Sequence, residues 1–258
     1  MKPWKPDQYL SHADLHSQAI ADLVRHIEIE RPKFIVDLGC GPGNSMEFIA
    51  ARWPRAGLTG VDAAKEMLEE GRAKHPEWHW VLSGIEDYRP AKQFDIVMSC
   101  AALQWLPRHE QLMPRLWELV RSGGALAVQM PANQESPLHR SLFRTARNRT
   151  WKEFTGQSRA VLNFRRPAEY LSILSPLARR LDVWETIYYH EMRSLESLLD
   201  WADGTVMRPF LERIPTAGRQ RAFVADVKRA CADAYPRTKR GTIVYVQKRL
   251  FFAAYKDV

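Results

Sequence analysis

Three glycines and two acids near the start of the chain have types and a spacing that suit a nucleoside-like ligand. The stretch VDLGCGPGN spans residues 36–44, with Asp37 shortly before three alternating glycines. Glycine has no side chain, so the backbone there can turn sharply or approach a ligand closely. Asp62 follows 23 residues after Gly39, where a carboxylate can accept hydrogen bonds from both ribose hydroxyls.

This stretch differs from the dinucleotide-binding pattern G-x-G-x-x-G. Its third glycine, Gly43, comes one residue early, and Asn44 stands at the dinucleotide position. Asp37 is a poor neighbour for a pyrophosphate, whereas an acid suits a ligand that carries an ammonium group. The pattern therefore favours a cationic ligand over a dinucleotide.

The elements around these residues alternate between strand and helix in the first half of the chain. Apolar runs predict strands over 34–38, 57–62, 78–83, 94–100 and 125–130, and helical spacing predicts helices over 17–27, 45–53, 63–75 and 109–124, the last ended by glycines. Such alternation indicates βαβ units in a parallel sheet. The glycine stretch then follows a strand and opens a helix, which points backbone amides at a ligand.

The second half has a different pattern. Residues 136–160 have helical spacing, and 180–192 and 242–256 are rich in β-branched and aromatic residues, typical of long strands. We expect these two strands to be an antiparallel pair that completes the sheet. Between them, 194–234 is predicted to be helical, interrupted at Arg208-Pro209 and Pro215, and to form a lid.

Composition sets limits on the class of protein. Of 258 residues, 45% are hydrophobic and 26% charged, and no apolar run reaches about 18 residues. The start lacks the apolar segment of a secretory signal. The cysteines, Cys40, Cys100 and Cys231, are far apart and lack metal-ligand spacing. We expect a cytoplasmic protein with reduced cysteines, no metal and no membrane partner.

The net charge of +8 is unevenly distributed: residues 1–130 carry −2 and residues 131–258 carry +10. A basic half suits an anionic partner, such as a small polyacid, a carrier protein or nucleic acid. A solvated surface that is rich in arginine explains the charge equally well. Charge alone leaves these alternatives open.

The acid, the G-x-G-x-G turn and the strand-end acid together resemble class I S-adenosylmethionine methyltransferases. Stretches over nearly the whole chain resemble one family within that class, trans-aconitate 2-methyltransferase: MKPWKPDQYL, DLGCGPGNS, AALQWLPRH, GGALAVQMPAN, DVWETIYYHEM, WADGTVMRPFL and QKRLFFAAYK. The resemblance implies an α/β, Rossmann-like fold, with a seven-stranded, mainly parallel sheet, an antiparallel last strand and a helical lid insertion. It implies one methyltransferase domain over 1–258, with a cofactor-binding core over 30–131 and helical caps over 132–165 and 194–235.

The family's activity is methyl transfer from S-adenosylmethionine to a carboxylate of a small polyacid. A carboxylate is already ionised at neutral pH, so we expect no catalytic base and no other catalytic residue. The predicted cofactor-binding residues are Asp37, Gly39, Gly41, Gly43, Asp62, Ala63, Met67, Ile85, Glu86, Cys100 and Trp105.

The acceptor is expected to be small and anionic. Its predicted binding residues are Tyr9, Gln104, Trp105, His139, Tyr188 or Tyr189, Arg208 and Arg249. A guanidinium can hold a carboxylate with two hydrogen bonds, so Arg208 and Arg249 are the proposed anion clamps. Structural ion pairs would explain these arginines equally well, and partly buried packing would explain His139 and the tyrosines.

Some positions depart from the family pattern. Leu15-His16-Ser17-Gln18-Ala19 lacks two arginines expected there, and Cys100, Ala132 and Leu138 replace an asparagine, an aspartate and a threonine. Gly84 stands where an acid is expected, with Glu86 and Asp87 close behind. Another carboxylic or keto acid is therefore an alternative acceptor.

Two other classes of function remain open. A nucleic-acid methyltransferase would suit the basic half, but the D/N-P-P-Y/F/W motif of base chemistry is missing, so we expect no nucleic-acid partner. A catalytically silent binding module would keep the same fold, but the intact acids and glycines argue against it.

Overall fold

A computed structural model describes residues 14–156, 158, 162–163 and 165–258. It contains a single seven-stranded sheet, in the order β3-β2-β1-β4-β5-β7-β6. The strands are β1 (Phe34–Leu38), β2 (Gly57–Asp62), β3 (His79–Leu82), β4 (Phe94–Cys100), β5 (Val120–Pro131), β6 (Arg180–Met192) and β7 (Ile243–Tyr255). β1 to β5 pair in parallel, and β7 runs antiparallel to β5. The predicted sheet, including its antiparallel end, is confirmed.

Helices connect the strands. In the described part of the chain they are α1 (Asp14–His26), α2 (Asn44–Arg52), α3 (Lys65–Lys74), α4 (His109–Glu118), α5 (Pro137–Ala146), α6 (Lys152–Thr155), α7 (Pro167–Leu174), α8 (Leu195–Asp203), α9 (Arg208–Leu211) and α10 (Ala217–Cys231). None of these helices is long and apolar enough to cross a membrane.

The central strands are buried on both faces. All seven residues of β4 are buried, and so are four of the five in β1. Parallel strands covered on both sides consist of apolar runs rather than alternating patterns. Such continuous runs are the reason why the predicted limits of these two strands match the structure.

The predicted helix over 109–124 was wrong in its second half. α4 ends at Glu118, and β5 already begins at Val120. Phe94 of β4 pairs with Val120, but Ile96 pairs with Ala125, so the register shifts between them. Gly123 lies within this shift at φ +70°. The glycines mark an irregularity of the strand and not the end of a helix.

The predicted break at Arg208-Pro209 was also misplaced, because these two residues open the short helix α9. Proline is favoured in the first turn of a helix, where its missing N–H has no intrahelical partner. The chain leaves helical structure before and after α9 instead.

The contacts divide the described chain into two compact units. The first unit comprises residues 14–131, 165–186 and 249–258, and the second comprises 132–163 and 187–248 apart from the undescribed positions. In the second unit, Ser141 Oγ of α5 donates to the carbonyl of Ala230 in α10 at 3.0 Å. Trp151 Nε1 donates to Asp226 Oδ2 at 2.8 Å, which joins α10 to the segment before α6.

Candidate functional site

The glycine turn lies at the carboxyl end of β1, in the first unit. The backbone amides of Gly39 and Cys40 donate to the carbonyl of Val61 at 2.7 and 3.1 Å, which ties the turn to β2. Gly39 has φ +77°, and a Cβ atom there would overlap Ala102. Gly41 has φ +55°, but a Cβ atom there would meet no atom within 4 Å. Gly39 therefore serves the fold, whereas Gly41 borders open space that a ligand can occupy.

Asp62 is oriented by the backbone. Its Oδ2 accepts from the amide of Gly41 at 2.9 Å, and its Oδ1 accepts from the amide of Ala64 at 2.8 Å. The side chain is only half-buried, and each carboxylate oxygen keeps a second lone pair. The carboxylate is therefore held rigidly and can still accept hydrogen bonds from a ligand's hydroxyls. Close by in sequence, Ala63 is exposed and Met67 is buried.

Asp37 is almost fully buried, with 1% of its surface exposed. Its Oδ2 accepts a hydrogen bond from Ser45 Oγ at the start of α2. Its Oδ1 is buried and has no hydrogen-bond partner in the described chain. Burial raises the pKa of Asp37 to about 7, against the opposing hydrogen bond from Ser45, and the charge of Asp62 adds to the rise. An unpartnered, buried carboxylate oxygen is a feature that a cationic group of a ligand would satisfy.

The loop after β3 contributes Ile85, which is buried, and Glu86, which is half-exposed. Arg115 of α4 donates to the backbone carbonyls of both residues. Arg115 thus fixes this loop, a role that its position in the sequence does not indicate. Glu86 Oε1 lies 3.9 Å from Arg108 Nη2.

A short 3-10 turn, Leu103–Trp105, follows β4 and carries two predicted site residues, Gln104 and Trp105. Gln104 Nε2 donates to the carbonyl of Ala101 at 2.6 Å, and its buried Oε1 has no hydrogen-bond partner in the described residues. His109 Nε2 donates to the carbonyl of Leu103 at 2.8 Å.

His109 was not predicted as a site residue. It is fully buried, and its Nδ1 lies 2.6 Å from the hydroxyl of Tyr170. Burial lowers the pKa of His109, so the neutral ring accepts from Tyr170 while it donates to Leu103. The stretch AALQWLPRH contains the only sequence signal for it, a histidine shortly after the Gln-Trp pair.

Cys100 is the last residue of β4, Gln129 lies two residues before the end of β5, and Arg249 lies in the middle of β7; all three are buried. Arg249 is fully buried, and its Nη1 lies 3.3 Å from Gln129 Oε1. Burial, reinforced by the charge of Asp37, raises the pKa of Cys100 well above its ordinary value. Cys100 is therefore a neutral thiol. Gln129 was not predicted, although it is the only polar residue in the apolar run 125–130.

The other predicted acceptor residues lie in the second unit. His139 is buried, with Nδ1 2.8 Å from Ser136 Oγ, and burial lowers its pKa to about 4. Arg208 Nε donates to Glu212 Oε1 at 2.9 Å within α9 and the residue after it. Tyr188 is buried, whereas Tyr189 is 71% exposed.

Two further predicted site residues are Tyr9 and Gly43. Tyr9 lies outside the described residues. Gly43 caps α2 at φ +97°. In the described ranges, no group of three or more histidines, cysteines and acids is arranged to hold a metal ion.

Comparison with known proteins adds to this geometry. A family model described as a methyltransferase domain matches residues 35–124. A protein of Variovorax paradoxus named trans-aconitate 2-methyltransferase is 37% identical over 258 residues, covering 99% of each chain. A protein of the same name from Streptomyces avermitilis is 38% identical over 263 residues, covering 98% of this chain and 97% of the relative.

Solved structures show the same fold. The YcgJ protein of Bacillus subtilis has a TM-score of 0.61 at 14% identity, covering 94% of this chain and 100% of the other. A phosphoethanolamine N-methyltransferase of Haemonchus contortus, solved with S-adenosylhomocysteine, has a TM-score of 0.55 at 17% identity, covering 94% of this chain and 52% of the other. This chain is therefore similar in fold to methyltransferases.

Proposed function

The chain belongs to the trans-aconitate 2-methyltransferase family, and from this premise we propose that it transfers a methyl group from S-adenosylmethionine to a carboxylate of a small polycarboxylic acid. The observation that carries the proposal is the identity of 37% across 99% of both chains. Trans-aconitate is the acceptor named in the relatives and is our first candidate here.

The glycine turn has the features that S-adenosylmethionine requires. When bound, this cofactor supplies a methyl group on a positively charged sulfur, which is already a good leaving group. We assign the free Oδ1 of Asp37 to the cofactor's ammonium group and the carboxylate of Asp62 to its ribose hydroxyls. The orphaned buried oxygen of Asp37 and the open space at Gly41 support this assignment.

The chemistry then requires no proton transfer by the protein. The acceptor's carboxylate oxygen forms a bond to the methyl carbon while the carbon–sulfur bond breaks and leaves its electron pair on sulfur. A carboxylate is ionised at neutral pH, so no general base is needed. The protein's contribution is to align the reacting atoms and exclude water, and we assign Trp105 and Gln104 to the pocket wall.

A related carboxylic or keto acid is the second candidate for the acceptor. The sequence supports it, because Gln18 and Cys100 replace an arginine and an asparagine of the family pattern. Each lost charge-assisted hydrogen bond weakens binding by about tenfold or more. An acceptor with fewer carboxylates makes fewer such hydrogen bonds, so these losses would weaken its binding less.

The proposal is tested by incubating the protein with labelled S-adenosylmethionine and a panel of small polyacids and keto acids, with mass spectrometry of the products. We expect a monomethyl ester from trans-aconitate or a close analogue, and a turnover rate on the bound complex that is flat from about pH 6 to 9. Methylation of nitrogen or carbon, or a rate that rises steeply over this range, would contradict carboxyl transfer.

A further inference from the structure

Four polar side chains of the first unit point to the same face of the sheet. Asp37 pairs with Met98, two residues before Cys100, and Cys100 pairs with Gln129. Pro131, two residues after Gln129, pairs with Arg249. Partners across a ladder, and residues two apart along a strand, share a face. Asp37, Cys100, Gln129 and Arg249 therefore form a polar row across β1, β4, β5 and β7.

The polar row is buried and its charge changes along its length. All four residues are at most 9% exposed. An acid stands at the end of the row beside the glycine turn, a guanidinium stands at the other end, and an uncharged thiol and an amide lie between them. Burial raises the pKa of the Cys100 thiol and the charge of Asp37 adds to the rise, whereas the side chain of Gln129 and the charge of Arg249 lower it.

The amide of Gln129 has a defined orientation in this row. Its Oε1 lies 3.3 Å from Arg249 Nη1, which donates to it. Its Nε2 is buried and forms no hydrogen bond of normal geometry among the described residues; the neighbouring Cys100 thiol is only a weak acceptor. A buried donor without a partner is unfavourable, and nearly all such groups in proteins are satisfied by protein, water or a ligand.

We propose that Gln129 and Arg249 together form a carboxylate subsite at the basic end of the polar row, an inference that rests on the proposed function. Gln129 Nε2 would donate to one carboxylate oxygen and the Arg249 guanidinium would supply the charge. A carboxylate is an acceptor only, so it suits a site built from an amide donor and a cation. The neutral thiol of Cys100 adds no negative charge that would compete for Arg249.

The row also gives the subsite its position relative to the cofactor. Asp37 would hold a positive group of the donor at the acidic end, and the negative acceptor would bind at the basic end. Gln129 is thereby a specificity-determining residue that favours carboxylates over neutral amides or esters.

The test uses Gln129→Met, which keeps the side-chain volume but removes the donor, and Gln129→Glu, which keeps a partner for Arg249 but adds a negative charge. We expect the KM for trans-aconitate to rise at least tenfold in Gln129→Met and further in Gln129→Glu. The cofactor Kd should stay within about twofold. Ser99→Ala is the matched control. Ser99 is fully buried on the opposite face of the sheet, where its Oγ donates to the Leu38 carbonyl at 2.7 Å. The KM of this variant for trans-aconitate should equal that of the wild type.

The outcomes separate this inference from the proposed function. If the wild-type protein methylates an acid and both folded variants keep its KM, the subsite is wrong and the proposed function stands. If the wild-type protein methylates no acid, the proposed function fails. Calorimetric titration of trans-aconitate into protein saturated with S-adenosylhomocysteine then decides the subsite: binding that Gln129→Glu abolishes supports it, and equal or absent binding overturns it.

Discussion

At the scale of single residues, Asp37 combines burial with an incompletely used carboxylate. A buried anion is unfavourable, which is why its pKa rises to about 7. Between about pH 4 and pH 7 the folded protein holds a proton on Asp37 that the unfolded chain has lost, so this residue makes the fold less stable as pH rises through that window. A bound cation would reverse this cost, because it favours the carboxylate.

This coupling predicts a pH-dependent cofactor affinity. Below pH 7, binding of the cationic cofactor must expel the Asp37 proton, so the Kd should fall about tenfold between pH 5.5 and 7. Calorimetry in two buffers with different ionisation enthalpies should detect the proton release. Asp37→Asn keeps an acceptor for the Ser45 hydroxyl but cannot ionise. The cofactor affinity of this variant should therefore be weaker and independent of pH. Equal wild-type affinities at pH 5.5 and 7 would remove Asp37 from the site.

Asp62 should have a larger and simpler effect. Asp62→Ala removes the acceptors for two ribose hydroxyls and should weaken cofactor binding by about 2–4 kcal/mol. Glu69→Ala is a suitable control, because it removes an exposed acid on α3 that pairs only with Lys65, at 3.3 Å, in the described chain. Calorimetry that gives the same affinity for both variants would show that Asp62 does not contact the cofactor.

The two kinds of site residue differ in how well the sequence predicts them. Asp37 and Asp62 could be found from local order alone, since each has a fixed position relative to the glycines. Gln129 could not be found in this way, because its proposed role depends on Arg249. The two residues are 120 positions apart along the chain and are brought together by the pairing of β5 with β7. In sequence, Gln129 is simply a polar interruption of an apolar strand.

At the scale of elements, two glycines of one turn have different roles: one is required for folding and the other for ligand access. Gly39 meets Ala102 and binds the turn to β2, whereas Gly41 borders open space. Both have positive φ, which costs a residue with a side chain about 1–2 kcal/mol. Only at Gly39 does a steric overlap add to that cost.

Substitution by alanine should therefore have different effects at these two glycines. Gly39→Ala should lower the free energy of unfolding by several kcal/mol, whereas Gly41→Ala should lower it by about 1–2 kcal/mol and abolish cofactor binding. Gly218→Ala, near the start of α10 where a Cβ atom meets nothing within 4 Å, is the control: it should leave cofactor binding unchanged and should raise stability, by at most about 1 kcal/mol. Denaturant titration and calorimetry measure both. Normal cofactor binding by Gly41→Ala would mean that the ligand lies elsewhere.

The turn after β4 depends on α7 as well as on α4. Tyr170 of α7 is fully buried, and the centroid of its ring lies 5.0 Å from that of Phe252. Its hydroxyl hydrogen-bonds to His109, and His109 donates to the carbonyl of Leu103. This chain of contacts connects α7 to the turn that carries Gln104 and Trp105. Its parts are far apart in sequence, so no local sequence pattern indicates it.

Tyr170→Phe tests this connection. The substitution keeps the ring but leaves His109 Nδ1 without its partner, so stability should fall by about 1–2 kcal/mol. Because burial lowers the pKa of His109, the neutral ring stabilises the fold above its ordinary pKa of about 6.5, and this contribution is lost as pH falls below that value. Chemical denaturation at pH 7 and 5 measures both effects. In His109→Gln, the additional loss of stability between pH 7 and 5 should be smaller than in the wild type.

The strands were predicted best where a run of apolar, β-branched or aromatic residues has clear limits in the sequence. The predicted limits of β1, β2 and β4, from apolar runs, and of β6, from its β-branched and aromatic residues, match the structure. The prediction failed at residues 119–124, where two adjacent glycines have the appearance of a helix end. In the structure Gly123 N donates to the carbonyl of Asp257 at 2.7 Å, so a contact with the chain's last residues decides the conformation. No local pattern contains that contact.

At the scale of the whole molecule, the excess of positive charge lies in the half that begins after residue 130. Part of it lines a groove of about 530 Å³ in the second unit, where Arg140, Arg144 and Arg147 are exposed at helical spacing along α5 and just beyond its end. Exposed charges act over about 8–10 Å at physiological salt and over longer distances at low salt. Their effect on an anionic acceptor is therefore on the rate of encounter rather than on the chemical step.

This charge distribution predicts a salt dependence that follows the charge of the acceptor. Between 20 and 300 mM salt, kcat/KM for trans-aconitate, with three carboxylates, should fall severalfold more than kcat/KM for a monocarboxylate, while kcat should stay unchanged for both. Replacing Arg140, Arg144 and Arg147 together by glutamine should reduce the salt dependence without changing kcat, because these side chains are exposed. Replacing three exposed lysines or arginines of the first unit, Arg25, Arg55 and Lys65, is the matched control for net charge. Steady-state kinetics at fixed pH measures these effects. Identical salt dependence for both acceptors would mean that the basic half exerts no long-range electrostatic effect on the acceptor. An equal reduction of the salt dependence in both triple variants would attribute the effect to net charge rather than to the groove.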